Sequence, residues 1–344
     1  MNARLATPDE IARWDELIVN NPDGGNIFAS TEYATMKKTG GYKVHYVMVD
    51  DIAVTVLEKS TPPLGKLWYL PKGPEVTSVT TLSDVLEALK PLAKKYHVFA
   101  IRFESELPRT KQPALARSGF RSAKPIIPNP STILLDISKP LDKLLLELPQ
   151  KGRYAIRRAE RDGVTVKAVK PTEKNCKTMY KLLKETAEGQ FGVRDYWYYQ
   201  KFWQHFYEKN LGQLFFAYVD GKEVAGAYAM VLGKKSTYKD GASIRKRTAY
   251  GASHLLQWHV IEWAKSRGAE LHDFCGSPPS DEIDNPEHPH YGIGLFKTAF
   301  NKEVTDYIGC YDLVLNKVNY QAWLKLGERV FRHYYWKKHH DYYY

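Results

Sequence analysis

The 344 residues are 43% hydrophobic and 26% charged, the balance of a globular chain with room for one large domain or two ordinary ones. Fifty Lys and Arg against 39 Asp and Glu leave a formal charge of +11, which points to nucleic acid, nucleotide phosphates or an anionic membrane face as partners. No apolar run reaches the roughly 18 residues a spanning helix needs, and three cysteines without a CxxC pair argue against a disulfide framework or a zinc site. The N-terminus, MNARLATPDEIARWDEL, carries acidic residues where a signal peptide needs a basic start, so a cytoplasmic protein is expected.

Along the chain, strand patterns at 44–50, 52–59 and 66–71 are followed by a helix over 82–96 and a strand at 98–104. The same order recurs at 213–220, 223–232 and 235–241, with a helix over 252–269 and a strand at 271–274. The two units begin near His45 and Leu214, an offset of 169 residues, and the turns VDD and VDG fall at the same place in each. Three meandering strands, a helix and a further strand, occurring twice, predict two α/β domains of one type. The expected division is 1–136 plus 316–344 for the first domain and 137–315 for the second. An amphipathic aromatic segment, 319–337, is expected to return to the first.

Between the units, 140–166 predicts two short helices ending at Gly163, a residue suited to a helix C-cap. Arg153, Arg157 and Arg161 recur every four residues and share one face, flanked by Lys151 and Arg158. Like charges so spaced repel unless an anion relieves them, which favours contact with a polyphosphate or RNA backbone over a merely solvated face. The next stretch, 178–206, predicts helix, turn, helix, with Arg194 opening the second helix and Tyr198 one turn later on the same face. That pair can hold a phosphate and a sugar hydroxyl together.

The segment HYGIGLFKTAFN (290–301) follows the last strand and a Gly/Pro-rich loop. It sets Lys297 beside Phe296 just beyond a strand's carboxyl end, where α/β domains usually hold substrates and where a fixed cation can serve a developing oxyanion. His288 and His290 in PEHPHY suggest a metal, but they lack a nearby helical carboxylate, and neither a metal nor another cofactor is expected.

Six stretches in this order resemble the Fem family of aminoacyl-tRNA-dependent peptidyltransferases. They are FASTEYATMKKTGGY (28–42), LWYLPKGPEV (67–76), KGRYAIRRAERDGVTV (151–166), GVRDYWYY (192–199), the run from STYKDGAS through HLLQWHVIEWAKSRGAELHDFCG, and GIGLFKTAFNKEV (292–304). The resemblance implies two domains of GNAT acetyltransferase type and the shorter, single-addition form without a coiled-coil arm. It implies transfer of an amino acid from aminoacyl-tRNA to the amine of the third stem-peptide residue of a peptidoglycan precursor, either UDP-linked or lipid-linked. Peripheral contact with the inner membrane face would accompany the latter.

By the same resemblance Lys37, Arg194 and Tyr198 would clasp the diphosphate and uridine side of that substrate in one cleft, and Tyr238 would belong to the same pocket. Lys297, after Phe296, would contact the tRNA acceptor end and serve catalysis. Lys151, Arg153, Arg157, Arg158 and Arg161 are the candidate tRNA contacts. The family's tyrosine and aspartate near the end of the first domain's last strand fall here at Phe99 and Glu104, and Glu104 is the candidate base, alongside Asp273 and the substrate's own carboxylate. Two other readings compete. A GNAT-type N-acyltransferase using acyl-CoA needs a glycine-rich pyrophosphate loop, and SIRKRTAYGASH (243–254) has the arginines without that glycine spacing. A non-enzymatic RNA-binding module explains the charge but not the paired pocket residues.

Overall fold

The structure is a computed structural model that describes residues 1–127, 130–188, 192–244, 250–339 and 342–344. It divides into two units, Met1–Pro130 with Asp306–Tyr344, and Ser131–Thr305.

The first unit is built on a seven-stranded sheet in the order Ala3–Leu5, Lys43–Val49, Ile52–Ser60, Lys66–Leu70, Val98–Phe103, Cys310–Val314, Arg121–Ala123. Neighbours are antiparallel except Lys66–Leu70 and Val98–Phe103, which run parallel. The crossover between that pair is the helix Val79–Lys95, whose Ser78 side chain accepts from the Thr81 N–H and so caps its start. Leu82, Val85, Leu86, Leu89 and Ala93 recur at helical spacing and fill the core over the sheet.

The second unit repeats the plan with six strands in the order Leu134–Asp136, Leu271–Asp273, Lys235–Ser243, Lys222–Leu232, Gly212–Val219, Thr165–Val169. Here Lys235–Ser243 and Leu271–Asp273 are the parallel pair, and the helix Ala252–Ser266 is the crossover. The duplicated turns also match in backbone: Asp50 has φ +49° and Asp220 φ +50°, the left-handed start of a tight two-residue hairpin. The fold is therefore α/β, with two units of one plan in tandem.

The boundaries differ from the sequence expectation at both joints. Leu134–Asp136 pairs with Leu271–Asp273, which puts it in the second unit's sheet. Cys310–Val314 pairs with Val98–Phe103 and Arg121–Ala123 in the first. A buried ion pair fixes that return: the Arg102 guanidinium donates to both Asp312 carboxylate oxygens at 2.8 and 2.9 Å, and Asp312 also accepts from the Tyr320 hydroxyl. The C-terminal segment then runs as Lys317–Ala322, a π-helical turn Trp323–Gly327, and Glu328–His339. It packs back on the first unit through Tyr320 and Trp323, which join Leu67, Phe99 and Ala100 in one cluster.

Candidate active site

In the second unit the parallel ladder is only three residues long, from Lys235↔Leu271 to Thr237↔Asp273. Beyond Thr237 the longer strand continues to Ser243 without that partner, and the chain after Asp273 turns away. Two residues shape the turn. Cys275 has φ +51° and Gly276 φ +47°, and the Asp273 carboxylate accepts from the Cys275 N–H at 2.7 Å and from the Thr132 hydroxyl at 2.5 Å. A non-glycine residue in the left-handed region costs strain, which the Asp273 bond offsets.

The carbonyls presented by this turn receive Lys297. Its ammonium donates to the Cys275 carbonyl oxygen and, at 2.6 Å, to that of Gly276. Lys297 is the last residue of the helix Tyr291–Lys297 and is only 7% exposed, so it is not a surface lysine. Burial pulls it down to about 8, with Cys275 and Asp273 acting the other way. An ammonium has three donors, and among the described residues these two carbonyls take two of them.

The surroundings favour that charge being held in place. His272 is fully buried between Ser236 (Nδ1 to Oγ 2.7 Å) and Gln257 (Nε2 to Nε2 2.6 Å), and burial together with Lys297 pushes it down to about 3, so it stays a neutral strut. Phe296, His254, Phe300 and Phe274 form a continuous aromatic bed, with centroid separations from 5.0 to 5.9 Å. His254 is held down to about 4 by burial and by Lys151.

The basic helix adjoins this site. It spans Gln150–Arg161 and ends before Gly163, whose φ of +77° places it in the C′ role expected of it. Gly152 and Gly251 let backbones meet: a Cβ on Gly152 would lie 1.9 Å from the Ala299 carbonyl oxygen, and one on Gly251 2.1 Å from that of Ala155. The helix therefore packs directly on the turn that follows Lys297. Its outer side, with Gln150, Arg153, Tyr154, Arg157, Glu160 and Arg161, lines a shallow recess of about 640 Å³.

The five candidate cations on that helix are not equivalent. Arg153 donates to the Leu146 and Leu148 carbonyls at 2.7 and 2.6 Å and so caps the short helix Leu141–Glu147. Arg158 is paired with Asp162 at 2.8 Å and reaches the Tyr154 hydroxyl. Lys151, Arg157 and Arg161 have no such internal partner among the described residues.

Arg194 precedes rather than opens the helix Tyr196–Glu208, and its guanidinium lies 4.6 Å from the Tyr198 ring centroid. The structure adds two residues to this pair that sequence patterning did not single out. A bulge in Lys235–Ser243 sets Tyr238 opposite Ala229 and Asp240 opposite Tyr228, leaving Lys239 as the extra residue. Lys239 bonds Asp240 at 3.0 Å and sits over Phe202, while Trp203 donates to Asp240 at 2.9 Å. Burial opposes the charge on Lys239, but Asp240, Tyr198 and Tyr199 outweigh it and hold the ammonium above its ordinary value.

Tyr238 instead packs into the core that contains Phe296, on the sheet face away from Lys239 and Asp240. It and the Arg194–Tyr198 pair are therefore brought to two faces of one strand, not to one pocket.

In the first unit, Lys37 lies in the helix Thr31–Thr39, with its ammonium 5.3 and 5.7 Å from the Tyr33 and Tyr42 rings. Phe99 is buried against Trp323. Glu104 departs from the role expected of a base. Its oxygens accept from the Tyr69 hydroxyl at 2.6 Å and from the Ile126 and Ile127 N–H groups, and it is buried. A carboxylate whose bonds are all made within the protein holds a loop in place. His288 and His290 lie together, but no group of three or more metal-holding side chains occurs among the described residues. The arginine-rich stretch 245–249, where the acyl-CoA reading looked for a pyrophosphate loop, lies outside the described residues.

The model of the FemAB family matches residues 130–224 and 219–326, more than half of the chain. The chain belongs to the FemAB family. Among curated relatives, the lipid II:glycine glycyltransferase of Staphylococcus aureus strain MRSA252 is 23% identical over 393 aligned residues, covering 89% of this chain and 92% of that protein. Among solved structures, the crystal structure of FemX superposes with a TM-score of 0.79 at 22% identity, over 94% of this chain and 99% of that one. L-PGS from Bacillus licheniformis superposes at 0.53 with 14% identity, over 94% and 98%. At these identities the structural likeness carries the fold of this FemAB member, and its chemistry rests on its own residues.

Proposed function

We propose that this FemAB protein is an aminoacyltransferase that moves an amino acid from aminoacyl-tRNA to the amine of the third stem-peptide residue of a peptidoglycan precursor. The observation that carries the reading is Lys297: a buried ammonium, aimed by two carbonyls at the open end of a parallel strand pair, with the basic helix packed on the turn beside it. Relatives named for glycyl transfer to lipid II support the class of reaction.

The chemistry is aminolysis of an ester. The neutral amine adds to the ester carbonyl, forming the C–N bond and a tetrahedral oxyanion. That intermediate collapses by breaking the bond to the ribose oxygen, and the proton lost by the amine is matched by the one the ribose hydroxyl gains. The ester is already activated, so the protein's task is to position the reactants and stabilise the oxyanion. The third Lys297 N–H donates to that oxygen, and the Phe296 bed excludes water from it. Lys151, Arg157 and Arg161 meet the RNA backbone. Arg194 with Tyr198 binds the diphosphate of the precursor, and the Lys239–Asp240 pair buttresses them. Glu104 takes no proton in this scheme, and Asp273 is engaged by the Cys275 N–H and the Thr132 hydroxyl, which leaves the substrate's own carboxylate to accept it.

The test is binding and steady-state kinetics together. The protein is expected to bind tRNA and not labelled acetyl-CoA, and Arg194→Ala is expected to raise KM for the precursor several-fold while leaving tRNA affinity unchanged. Saturable acetyl-CoA binding without tRNA binding would favour an ordinary N-acyltransferase instead.

A further inference from the structure

The C-terminal segment has two faces of opposite character. Tyr320, Trp323, Phe331 and Tyr335 turn inward onto the first unit's aromatic cluster. Val318, Leu324, Leu326, Val330, Tyr334 and Trp336 of the same segment stand out of the protein, each between 47% and 78% exposed, and helical spacing sets Val318, Leu326, Val330 and Tyr334 opposite the inward residues. Isolated exposed apolar residues are ordinary, but six within one segment of 23 residues, out of 16 such side chains on the described surface, form a concentrated apolar face.

The charge around that face is also one-sided. Lys317, Lys325, Arg329, Arg332, Lys337 and Lys338 stand against the single Glu328, and Glu328 is taken up by the Tyr344 hydroxyl at 3.1 Å. Leu and Val with Tyr and Trp, bordered by Lys and Arg, are what a helix lying in a lipid interface presents: apolar groups enter the acyl boundary, aromatic rings sit at headgroup depth, and cations meet anionic headgroups. No helix among the described residues is long and apolar enough to cross a membrane, so the association is with the surface.

We propose that the segment Lys317–His339 is a membrane-docking face that recognises anionic phospholipid. A partner of that charge fits the cations, whereas a second copy of this chain would set the same positive face against itself. Docking at a bilayer brings the enzyme to a lipid-linked acceptor, a consequence that rests on the proposed function. The docking itself does not, because it requires neither tRNA nor precursor.

The experiment uses the full chain with vesicles of phosphatidylcholine alone or mixed with phosphatidylglycerol, read by co-sedimentation over a salt series. Binding is expected to the phosphatidylglycerol vesicles and to weaken with salt. Leu326→Gln with Val330→Gln, which leaves the charge unchanged, is expected to lower partitioning by roughly tenfold or more. Lys337→Gln with Lys338→Gln is expected to lower it roughly thirtyfold, at about 1 kcal/mol per cation near an anionic surface. All four side chains are at the surface, and unchanged thermal unfolding confirms that each variant folds. Equal binding to both vesicle types, no binding to either, or partitioning indifferent to the Leu326/Val330 change would each overturn the proposal. So would a concentration-dependent dimer that the Leu326/Val330 change dissolves, since a second copy would then cover the face.

Discussion

Lys297→Met is expected to lower kcat by a factor on the order of 10² to 10³, the usual cost of removing one oxyanion donor. Methionine keeps the length and apolar stem, so the aromatic bed of Phe296 and Phe300 stays filled while the cation is lost. Affinity for the precursor should remain near wild type, because the interaction belongs to the transition state rather than to ground-state binding. Lys297→Arg should recover little, since a planar guanidinium cannot take an ammonium's place between the Cys275 and Gly276 carbonyls. The pH profile supplies a separate reading. Burial lowers Lys297 to about 8, so the charged donor is present below that pH and is lost as pH rises through it. The wild-type single-turnover rate should therefore fall on the alkaline side near pH 8, and the Met variant should lack that limb. A Met variant with the full single-turnover rate would make Lys297 a structural residue.

Charge reversal at Arg157 and Arg161 is the second large effect. Both stand on the outer side of the basic helix at the recess beside Tyr154. If each neutralises one phosphate, replacing both with Glu should reduce the slope of log affinity against log salt by roughly 2 and weaken tRNA binding by roughly ten- to a hundredfold at moderate salt. Arg153→Gln should act otherwise. Its guanidinium holds the Leu146 and Leu148 carbonyls, so the expected loss is in stability rather than in salt dependence. An unchanged tRNA affinity and slope in the double variant would leave this helix merely solvated.

Much of the fold was legible because the strands and helices carry local signals. The apolar run of Ile52–Ser60 and the apolar stripe of Val79–Lys95 are local properties, and they recur in Lys222–Leu232 and Ala252–Ser266. The joints were less legible. Leu134–Asp136 and Cys310–Val314 are short strands whose sheet is chosen by distant partners, Arg102 with Asp312 above all. At the site, the position of Lys297 past a strand end could be read from the order of elements. Its burial between two carbonyls could not, because that depends on the left-handed turn at Cys275 and Gly276. Lys239 and Asp240 were missed for a similar reason: a one-residue bulge decides which way they face, and it separates them from Tyr238 next door. Glu104 looked available as a base in sequence, and only the donors Tyr69, Ile126 and Ile127 reveal that its lone pairs are spoken for.

The central claim is tRNA-dependent transfer to a muropeptide, and the most direct measurement is the product itself. The protein should be incubated with a mixed aminoacyl-tRNA pool and, in parallel, with UDP-linked and lipid-linked muropeptide, followed by mass spectrometry. The account predicts a precursor heavier by one amino-acid residue, attached at the third stem position, abolished by ribonuclease and strongly reduced by Lys297→Met. A precursor left unchanged by every aminoacyl-tRNA, or modified equally well after ribonuclease treatment when acyl-CoA is supplied, would contradict it.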